Sequence, residues 1–309
     1  MFFITYNYDF FMSQSDNLVN LIEKNEIVKV CGAYDAMSAK LVESHGFDAI
    51  WAGSFAISAI HNVPDASILT MTEFFDAASN MAQSCQIPVI ADCDTGYGDA
   101  NNVRHLVKKY ENAGIAGICI EDKTFPKQNS LLKDGNNQLL SEKDFVAKIL
   151  AANEAKQNKS FTIIARVEAL ISGIGMDEAL KRAYAYEKAG ADLILIHSKK
   201  ISPEEVFEFS ELWKGSSPLV AIPTTYYSVK IDELISHNIK MVIYANQTLR
   251  ASHMALTNLL AKMKNANNMD DIQNEMSSME DIFKSQEMFD IKSQEKDIEE
   301  KLRKLGYIS

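Results

Sequence analysis

The stretch Ala116-Gly117-Ile118-Cys119-Ile120-Glu121-Asp122 is a short, continuously apolar run that ends in two carboxylates. A run in which every side chain is apolar is typical of a parallel strand buried on both faces, whereas a half-exposed strand would alternate. Short β-branched runs of this type recur along the chain, with helical patterns between them. The strand candidates are residues 28–31, 49–52, 88–91, 117–120, 161–165, 193–196, 219–222 and 241–244.

Amphipathic helical patterns separate these strand candidates. They cover residues 36–45, 72–84, 101–113, 142–157, 176–188 and 204–213. Eight strand-then-helix units in about 230 residues predict a (β/α)8 TIM-type barrel. The alternative is a doubly wound open sheet, which would tend to show a glycine-rich phosphate turn after its first strand. That turn here reads Cys31-Gly32-Ala33-Tyr34-Asp35 and lacks the glycine pattern.

The predicted barrel domain covers residues 18–266. Residues 1–17 are expected to be a disordered N-terminal extension, with translation beginning at Met12. Residues 267–309 are polar and rich in methionine, and their apolar spacing predicts a helical arm that packs on the barrel or on a partner subunit. Two connections, residues 55–69 and 122–141, are longer than a barrel requires, and long loops at the catalytic end are usually lids or substrate contacts.

Composition excludes several classes of protein. The formal net charge of −11 argues against nucleic acid as a partner, because backbone phosphates would be repelled. No run of 18 apolar residues occurs, so no membrane association is expected. The four cysteines have no metal-like spacing and are expected to be reduced core residues of a cytoplasmic protein.

Acidic residues follow the third and fourth predicted strands, at the end where barrel enzymes carry their chemistry. Asp92 and Asp94 are two residues apart, so both side chains can point the same way. With Glu121 from the adjacent strand they form a cluster of oxygen ligands, which suits Mg²⁺ better than zinc. The alternative is that these acids only cap helices, but three neighbouring negative charges would then repel each other. The sequence therefore predicts a magnesium site.

Basic groups follow the fifth and sixth predicted strands. Arg166 offers a bidentate fork to phosphoryl oxygens, and His197 can add a second hydrogen bond. Residues 123–130 supply two lysines together with amide and hydroxyl groups beside the carboxylates, which a magnesium-bound phosphorylated substrate would need. Asp65 lies in another long loop, where it is either a site residue or a turn residue.

Four motifs closely resemble those of the phosphoenolpyruvate mutases of the isocitrate lyase superfamily, and the resemblance covers residues 18–295. The motifs are D-x-D-T-G-Y-G at 92–98, E-D-K-x-F-P-K-x-N-S at 121–130, A-R-V-E-A-L at 165–170 and L-I-H-S-K-K at 195–200. This resemblance implies a (β/α)8 barrel whose eighth helix is exchanged between two subunits. It also implies a homo-oligomer, either a dimer or a dimer of dimers.

The resemblance implies roles for individual residues around the metal and the phosphoryl group. Asp92 would hold Mg²⁺ directly, while Asp94 and Glu121 would act through water. Arg166 and His197 would hold the phosphoryl group.

It also implies how the rest of the substrate is bound. The pyruvyl part would contact residues after the second strand, partly through backbone N–H groups, and the candidates are Trp51, Gly53, Ser54 and Phe55. The family usually has Ser-Gly where this chain has Gly53-Ser54, so the group that meets the substrate carboxylate is left open. A lid over the substrate would carry Lys127, Asn129 and Ser130. Asp65 matches a family carboxylate that is sometimes cast as the nucleophile.

The implied reaction converts phosphoenolpyruvate to 3-phosphonopyruvate, the first step of phosphonate biosynthesis. The main alternative is phosphonopyruvate hydrolase, which has a similar loop at 63–66 but a threonine where this chain has Asn129. A second alternative is a non-catalytic sensor of phosphorylated acids, which would be expected to have lost Asp92, Arg166 or the lid residues. The K-K-C-G-H loop of the superfamily's C–C lyases is absent. The predicted function is therefore a Mg²⁺-dependent mutase.

Overall fold

The computed structural model describes residues 12–308, in which eight parallel strands close into a barrel in sequence order. Each strand is hydrogen-bonded to the next, and the last pairs with the first. The strands are β1 (Val28–Ala33), β2 (Ala49–Ala52), β3 (Val89–Asp92), β4 (Gly117–Glu121), β5 (Thr162–Val167), β6 (Leu193–Ile196), β7 (Leu219–Ala221) and β8 (Ile239–Tyr244). The predicted (β/α)8 barrel is confirmed.

Helices lie between the strands and after the last one. They are α1 (Gln14–Lys24), α2 (Ala36–Ser44), α3 (Ser54–Ile60), α4 (Met71–Ser84), α5 (Ala100–Asn112), α6 (Glu142–Ala155), α7 (Ala169–Ser172), α8 (Met176–Lys188), α9 (Glu204–Leu212), α10 (Ile231–Ser236), α11 (Gln247–Met263), α12 (Met279–Ser285) and α13 (Asp290–Lys304), with a 3₁₀ turn at Asp270–Glu275. The predicted C-terminal helices are confirmed.

Two apolar clusters follow from the alternation of side chains along each strand. Val28, Val30 and Trp51 belong to the inner cluster, which fills the barrel, whereas Ile50 and Ala52 belong to the outer one, between the strands and the helices. Both clusters are apolar, so the strands are buried on both faces, as their continuous apolar runs predict.

The N-terminal helix corrects one expectation. Helix α1 begins at Gln14, inside the segment 1–17 that was expected to be a disordered extension. The Ser13 hydroxyl caps it by accepting from the Asp16 N–H at 3.1 Å. Leu18 is fully buried in the inner cluster, and this burial holds the helix. Residues 1–11 lie outside the described part of the chain, and the expected start at Met12 stays a prediction.

The chain divides into two units between Leu249 and Arg250, within α11. This division lies upstream of the predicted boundary at 266. The second unit contains the rest of α11, the 3₁₀ turn, α12 and α13. Across residues 12–308, no helix combines the length and the apolar character needed to cross a lipid bilayer.

Candidate active site

The side-chain alternation that fills the barrel also directs four polar side chains into its mouth. Ile90, Cys119, Ile164 and Leu195 belong to the inner cluster. Side chains two residues further along share that face, because the period of a strand is two. They are Asp92, Glu121, Arg166 and His197.

Arg166 contacts two of these side chains directly. It is the cross-strand neighbour of Glu121, and its Nε lies 3.3 Å from Glu121 Oε2. Its Nη2 lies 2.8 Å from His197 Nδ1. The three groups come from β4, from β5 and from the residue after β6, so the barrel closure brings them to one rim.

The three predicted metal-binding carboxylates differ in their partners. Asp92 accepts hydrogen bonds from the Ser54 hydroxyl at 2.9 Å and from the Asp94 N–H at 3.3 Å, and within residues 12–308 it has no ion-pair partner. Asp94 Oδ1 lies 3.0 Å from Lys127 Nζ. Burial raises the pKa of Asp92, and it raises the pKa of Asp94 to about 7. Glu121 Oε1 is buried without a hydrogen-bond partner.

These contacts test whether the residues fit a magnesium ion. In the described part of the chain, no three potential ligand side chains lie close enough together to enclose a metal. The expected trio is therefore not a site of three direct carboxylates, since Asp94 and Glu121 are paired with lysine or arginine. Asp92, by contrast, forms no ion pair with a lysine or arginine within residues 12–308. Mg²⁺ commonly keeps several waters and takes one or two carboxylates, so one direct ligand, with the other acids acting through water, fits this arrangement.

The loop at 93–98 places Asp94 under two local constraints. Gly96 has φ +86°, and a Cβ there would lie 2.5 Å from Val103 Cγ2, so a larger residue does not fit. Asp94 itself has φ +49°, a conformation that aspartate tolerates better than most residues. From α6, the buried Lys148 donates a 2.7 Å hydrogen bond to the Thr95 carbonyl. Burial lowers the pKa of Lys148 to about 8.

The long loop after β4 packs against Asp65. Lys127 Nζ lies 2.5 Å from Asp65 Oδ1, and the Asn129 amide donates a 2.7 Å hydrogen bond to Asp65 Oδ2. Burial disfavours the charge of Lys127, but the carboxylates of Asp94 and Asp65 outweigh this and hold its pKa above the usual value. The structure thus brings Asp65 together with Lys127 and Asn129, because the two long loops meet over the barrel mouth, and its role in the reaction stays a prediction.

Glu168, which was not among the predicted site residues, lies beside Arg166 and His197 at the barrel mouth. Its Oε1 accepts from Arg166 Nε and lies 2.7 Å from His197 Nδ1. Its Oε2 accepts from the Ser130 hydroxyl at 2.8 Å. Lys123 donates to the same hydroxyl at 2.6 Å. Spacing in the sequence could have indicated this position, because Glu168 stands two residues after Arg166 and directly follows the same strand, so both side chains can point the same way.

The pKa values of Glu168 and His197 are shifted by burial and by the charges beside them. Burial raises the pKa of Glu168, but Arg166 and His197 outweigh burial and hold it well below its usual range. Burial and the adjacent Arg166 charge lower the pKa of His197, although Glu168 opposes them.

Asp122, the second acid of the opening stretch, has a structural role beneath the loop. It is fully buried and accepts hydrogen bonds from the Tyr186 hydroxyl at 2.6 Å and from Arg182 Nη1 at 3.0 Å. Its other oxygen accepts from the Glu168 N–H at 2.9 Å. Arg182 also donates to the Leu140 carbonyl at 3.0 Å, where the long loop ends. Burial raises the pKa of Asp122 to about 6.

The four predicted pyruvyl-binding residues lie at the end of β2 and the start of α3. Trp51 is buried in the inner cluster, and the Gly53 N–H donates to the Ala33 carbonyl at 3.4 Å. Helix α3 begins at Ser54, so the N–H groups of Ser54 and Phe55 lie in its first turn, where no helical carbonyl accepts from them. Phe55 is 40% exposed.

A cavity of about 510 Å³ lies beside the long loop. Ser130, Lys199 and Thr225 contribute to its wall, together with residues 131–135 and Asn137. It therefore lies beside Ser130, whose hydroxyl contacts Arg166.

A family model described as phosphoenolpyruvate phosphomutase matches residues 18–264, which is most of the chain. The chain belongs to the phosphoenolpyruvate phosphomutase family. The resemblance drawn from the four motifs is thereby confirmed.

Two relatives show that this family holds more than one activity. A phosphoenolpyruvate phosphomutase from Tetrahymena pyriformis is 39% identical over 283 residues, covering 92% of this chain and 94% of the relative. A phosphonopyruvate hydrolase from Variovorax sp. (strain Pal2) is 39% identical over 276 residues, covering 89% of this chain and 95% of the relative. Overall identity does not separate the two activities, so individual residues must.

Solved structures of both kinds share the fold of this phosphomutase-family chain. A phosphoenolpyruvate phosphomutase from Streptomyces platensis subsp. rosaceus gives a TM-score of 0.90 at 42% identity, covering 92% of this chain and 98% of that chain. A phosphonopyruvate hydrolase in complex with oxalate and Mg²⁺ gives a TM-score of 0.86 at 36% identity, covering 91% of this chain and 98% of that chain. A homologous structure is thus described with Mg²⁺ bound.

Proposed function

We propose that this protein is a phosphoenolpyruvate mutase, an isomerase that converts phosphoenolpyruvate to 3-phosphonopyruvate. The phosphoryl group would leave the enol oxygen and bond to carbon 3 of the same molecule. One observation carries the proposal. The Arg166–His197 pair and the Asp92 carboxylate stand at one barrel rim, beneath a loop that supplies Lys127 and Asn129.

The phosphoryl group is proposed to bind Arg166 and His197. Phosphoryl transfer proceeds through a loose, metaphosphate-like transition state, so the protein mainly has to hold the PO₃ unit in position. Arg166 is buried beside Glu168 and Glu121, which keep its pKa above the usual value, so it stays charged throughout. His197 Nδ1 lies 2.7 Å from Glu168 Oε1 and 2.8 Å from Arg166 Nη2, and one ring nitrogen cannot donate to the first and accept from the second at once. Donation from Nδ1 to Glu168 orients the ring, and Nε2 can then donate to a phosphoryl oxygen when it also carries a proton.

The pyruvyl end is proposed to bind at the first turn of α3 and at the metal site. Asp92 would hold Mg²⁺ directly, with Asp94 and Glu121 acting through water, and the bound ion would supply positive charge that stabilises the enolate. The N–H groups of Ser54 and Phe55 face no helical carbonyl, which suits a carboxylate. The Ser54 hydroxyl is already engaged with Asp92 at 2.9 Å, so the backbone rather than the hydroxyl is proposed to meet the substrate.

Water has to be excluded, because a metaphosphate-like unit that meets water gives free phosphate. The loop that carries Lys127, Asn129 and Ser130 is proposed to be the lid, defined as residues 124–138. Its two ends are held together by a bridge between Lys123 and Leu139. The Asn129 amide donates a hydrogen bond to Asp65 Oδ2, and the Lys127 ammonium group donates one to Oδ1. Both oxygens of Asp65 therefore already accept from the lid, which makes Asp65 a poorer base for a water molecule and favours mutase over hydrolase.

The test is to incubate the purified protein with phosphonopyruvate and Mg²⁺, and to follow the reaction by ³¹P NMR. This is the downhill direction, so phosphoenolpyruvate is expected to accumulate. Inorganic phosphate and pyruvate as the main products would instead assign the hydrolase activity. An unchanged phosphonopyruvate signal, together with binding of the substrate, would favour the non-catalytic sensor.

Assembly and location are proposed on the same basis. A homo-oligomer, a dimer or a dimer of dimers with α11 exchanged between subunits, is supported by the absence of any buried residue in that helix. Sedimentation analysis that finds only monomers would contradict it. A cytoplasmic location is supported by four cysteines that are free and buried. No nucleic-acid partner is proposed, given the net charge of −11.

A further inference from the structure

We propose that Glu168 is a positioning residue that couples the lid to the phosphoryl-binding pair. One of its oxygens holds Arg166 and His197, and the other holds the lid through Ser130. The inference rests on the proposed function, because it gives a role in the same reaction to a residue that does not itself contact the substrate.

The first step is that, within residues 12–308, the polar contacts of the Glu168 side chain are with Arg166, His197 and the segment 123–130. Its side chain is fully buried, and a buried carboxylate is costly unless every oxygen is satisfied. Oε1 is satisfied by Arg166 and His197, and Oε2 is satisfied by Ser130 with Lys123 Nζ at 3.6 Å. These four partners come from three separate segments of the chain, so the carboxylate joins them.

The second step is that the position of Glu168 is itself fixed. Its N–H donates to Asp122 Oδ1 at 2.9 Å, and Asp122 is held by Tyr186 and Arg182. Arg182 also binds the Leu140 carbonyl, just beyond the lid. The backbone of Glu168 is therefore anchored to the base of the lid, while its side chain reaches the part of the lid that carries Ser130.

The third step is that Ser130 can make this arrangement only when the lid lies over the mouth. Its single hydroxyl donates to Glu168 Oε2 at 2.8 Å, and it accepts from Lys123 at 2.6 Å and from Arg166 Nη2 at 3.1 Å. If the lid moved away, Glu168 Oε2 would lose its hydrogen-bond donor and Arg166 would lose one acceptor. Closure of the lid and correct placement of Arg166 are thus parts of one hydrogen-bonded set.

The experiment compares Glu168→Gln with Ser130→Ala, using two readouts. Glutamine keeps the size of the side chain but loses the charge that holds Arg166 and His197. Ser130→Ala removes the connection to the lid, together with one acceptor of Arg166 and of Lys123, but keeps the Glu168 charge beside Arg166 and His197. The matched control is Glu154→Gln, an exposed glutamate paired with Arg104 on the surface.

The first readout needs no substrate turnover. Trypsin cleavage after Lys133, an exposed residue of the lid, reports how often the lid leaves the mouth. Cleavage is expected to be about tenfold faster in both variants than in the wild type and in Glu154→Gln, which corresponds to the loss of about one hydrogen bond. Cleavage at the wild-type rate in both variants would overturn the proposal.

The second readout is the reaction itself. With phosphonopyruvate and Mg²⁺, both variants are expected to release about tenfold more inorganic phosphate per phosphoenolpyruvate formed, because water enters an open mouth. Glu168→Gln is also expected to raise KM about tenfold, whereas Ser130→Ala raises it less, because Arg166 and His197 stay held. Slower turnover with unchanged phosphate release and unchanged KM would mean a purely structural role and would overturn the coupling.

These outcomes separate the two proposals. A wild-type protein without turnover would defeat the proposed function, and the trypsin readout would still test whether Glu168 holds the lid. If Glu168→Gln does not fold, Ser130→Ala carries the test, since a lid that stays protected without the Ser130 hydroxyl would contradict the coupling.

Discussion

The amide of Asn129 donates a 2.7 Å hydrogen bond to Oδ2 of Asp65, across the two long loops that meet over the barrel mouth. Lys127 holds the other oxygen of the same carboxylate at 2.5 Å. This relationship is the physical reason to expect that position 129 separates two activities that overall identity does not. Threonine, which the resemblance gives to the hydrolases here, is shorter and has no amide with which to reach the carboxylate.

Replacing Asn129 by threonine is expected to shift the reaction towards hydrolysis. Loss of the hydrogen bond frees Asp65 Oδ2 to orient water, so the ratio of inorganic phosphate to phosphoenolpyruvate should rise about tenfold. The ratio is measured by ³¹P NMR with phosphonopyruvate as substrate. Asn136→Thr, in an exposed part of the same loop, is the control. An unaltered ratio in Asn129→Thr would show that this amide does not protect the phosphoryl group from water.

Replacing Asp92 by asparagine is expected to abolish magnesium-dependent turnover. Asparagine can still accept the Ser54 hydrogen bond, so the loop is retained while the charge is lost. The rate should fall about 10³-fold, and the concentration of MgCl₂ needed for half-maximal rate should rise. Asp99→Asn, at the N-cap of α5, is a matched control because asparagine caps equally well. Full activity in excess chelator would contradict the metal assignment.

Replacing Arg182 by methionine is expected to lower the free energy of unfolding. Arg182 lies 3.0 Å from the fully buried Asp122, and its removal leaves that carboxylate without a cation. Breaking a buried pair in this way costs about 3–5 kcal/mol, measured by urea unfolding. Lys181→Met, which removes an exposed cation from the same helix, should cost about 0–1 kcal/mol. Equal stabilities of the two variants would show that Asp122 does not depend on Arg182.

The stability of the protein is expected to depend on pH through Lys148. Burial lowers the pKa of its ammonium group from 10.5 to about 8. Between these values the unfolded chain keeps a proton that the folded protein has released. The destabilisation caused by burying this ammonium group therefore decreases as pH rises, and the free energy of unfolding increases. Lys148→Met removes the titration. The Tm of the wild type relative to Lys148→Met should therefore increase from about pH 7 to about pH 10.

The control for this titration is Lys143→Met, an exposed lysine on the same helix. Its Tm difference from the wild type should not change in the same direction with pH. A Tm difference for Lys148→Met that stays constant or falls as pH rises would show that Lys148 is not destabilised by burial in the folded protein.

The sequence by itself determined the barrel and the side chains that line its mouth. Strand identity is local, because a short apolar run between helical patterns has few other stable uses, and all eight predicted strands overlap observed ones. The inner face follows from a period of two, so Asp92, Glu121 and Arg166 share the side of Ile90, Cys119 and Ile164. Closure of the barrel then brings these residues to one rim.

Only the tertiary structure decided which partners these side chains take. Asp65 meets Lys127 and Asn129 because two loops cross the mouth, and the path of a loop follows no period that could be read from the chain. The same is true of Glu168, whose partners come from separate segments. It is also true of the predicted metal-binding acids, since Asp94 pairs with a lysine and Glu121 with an arginine. Local patterns fix the direction of a side chain, whereas its partner depends on the distance between segments that meet only in the folded state.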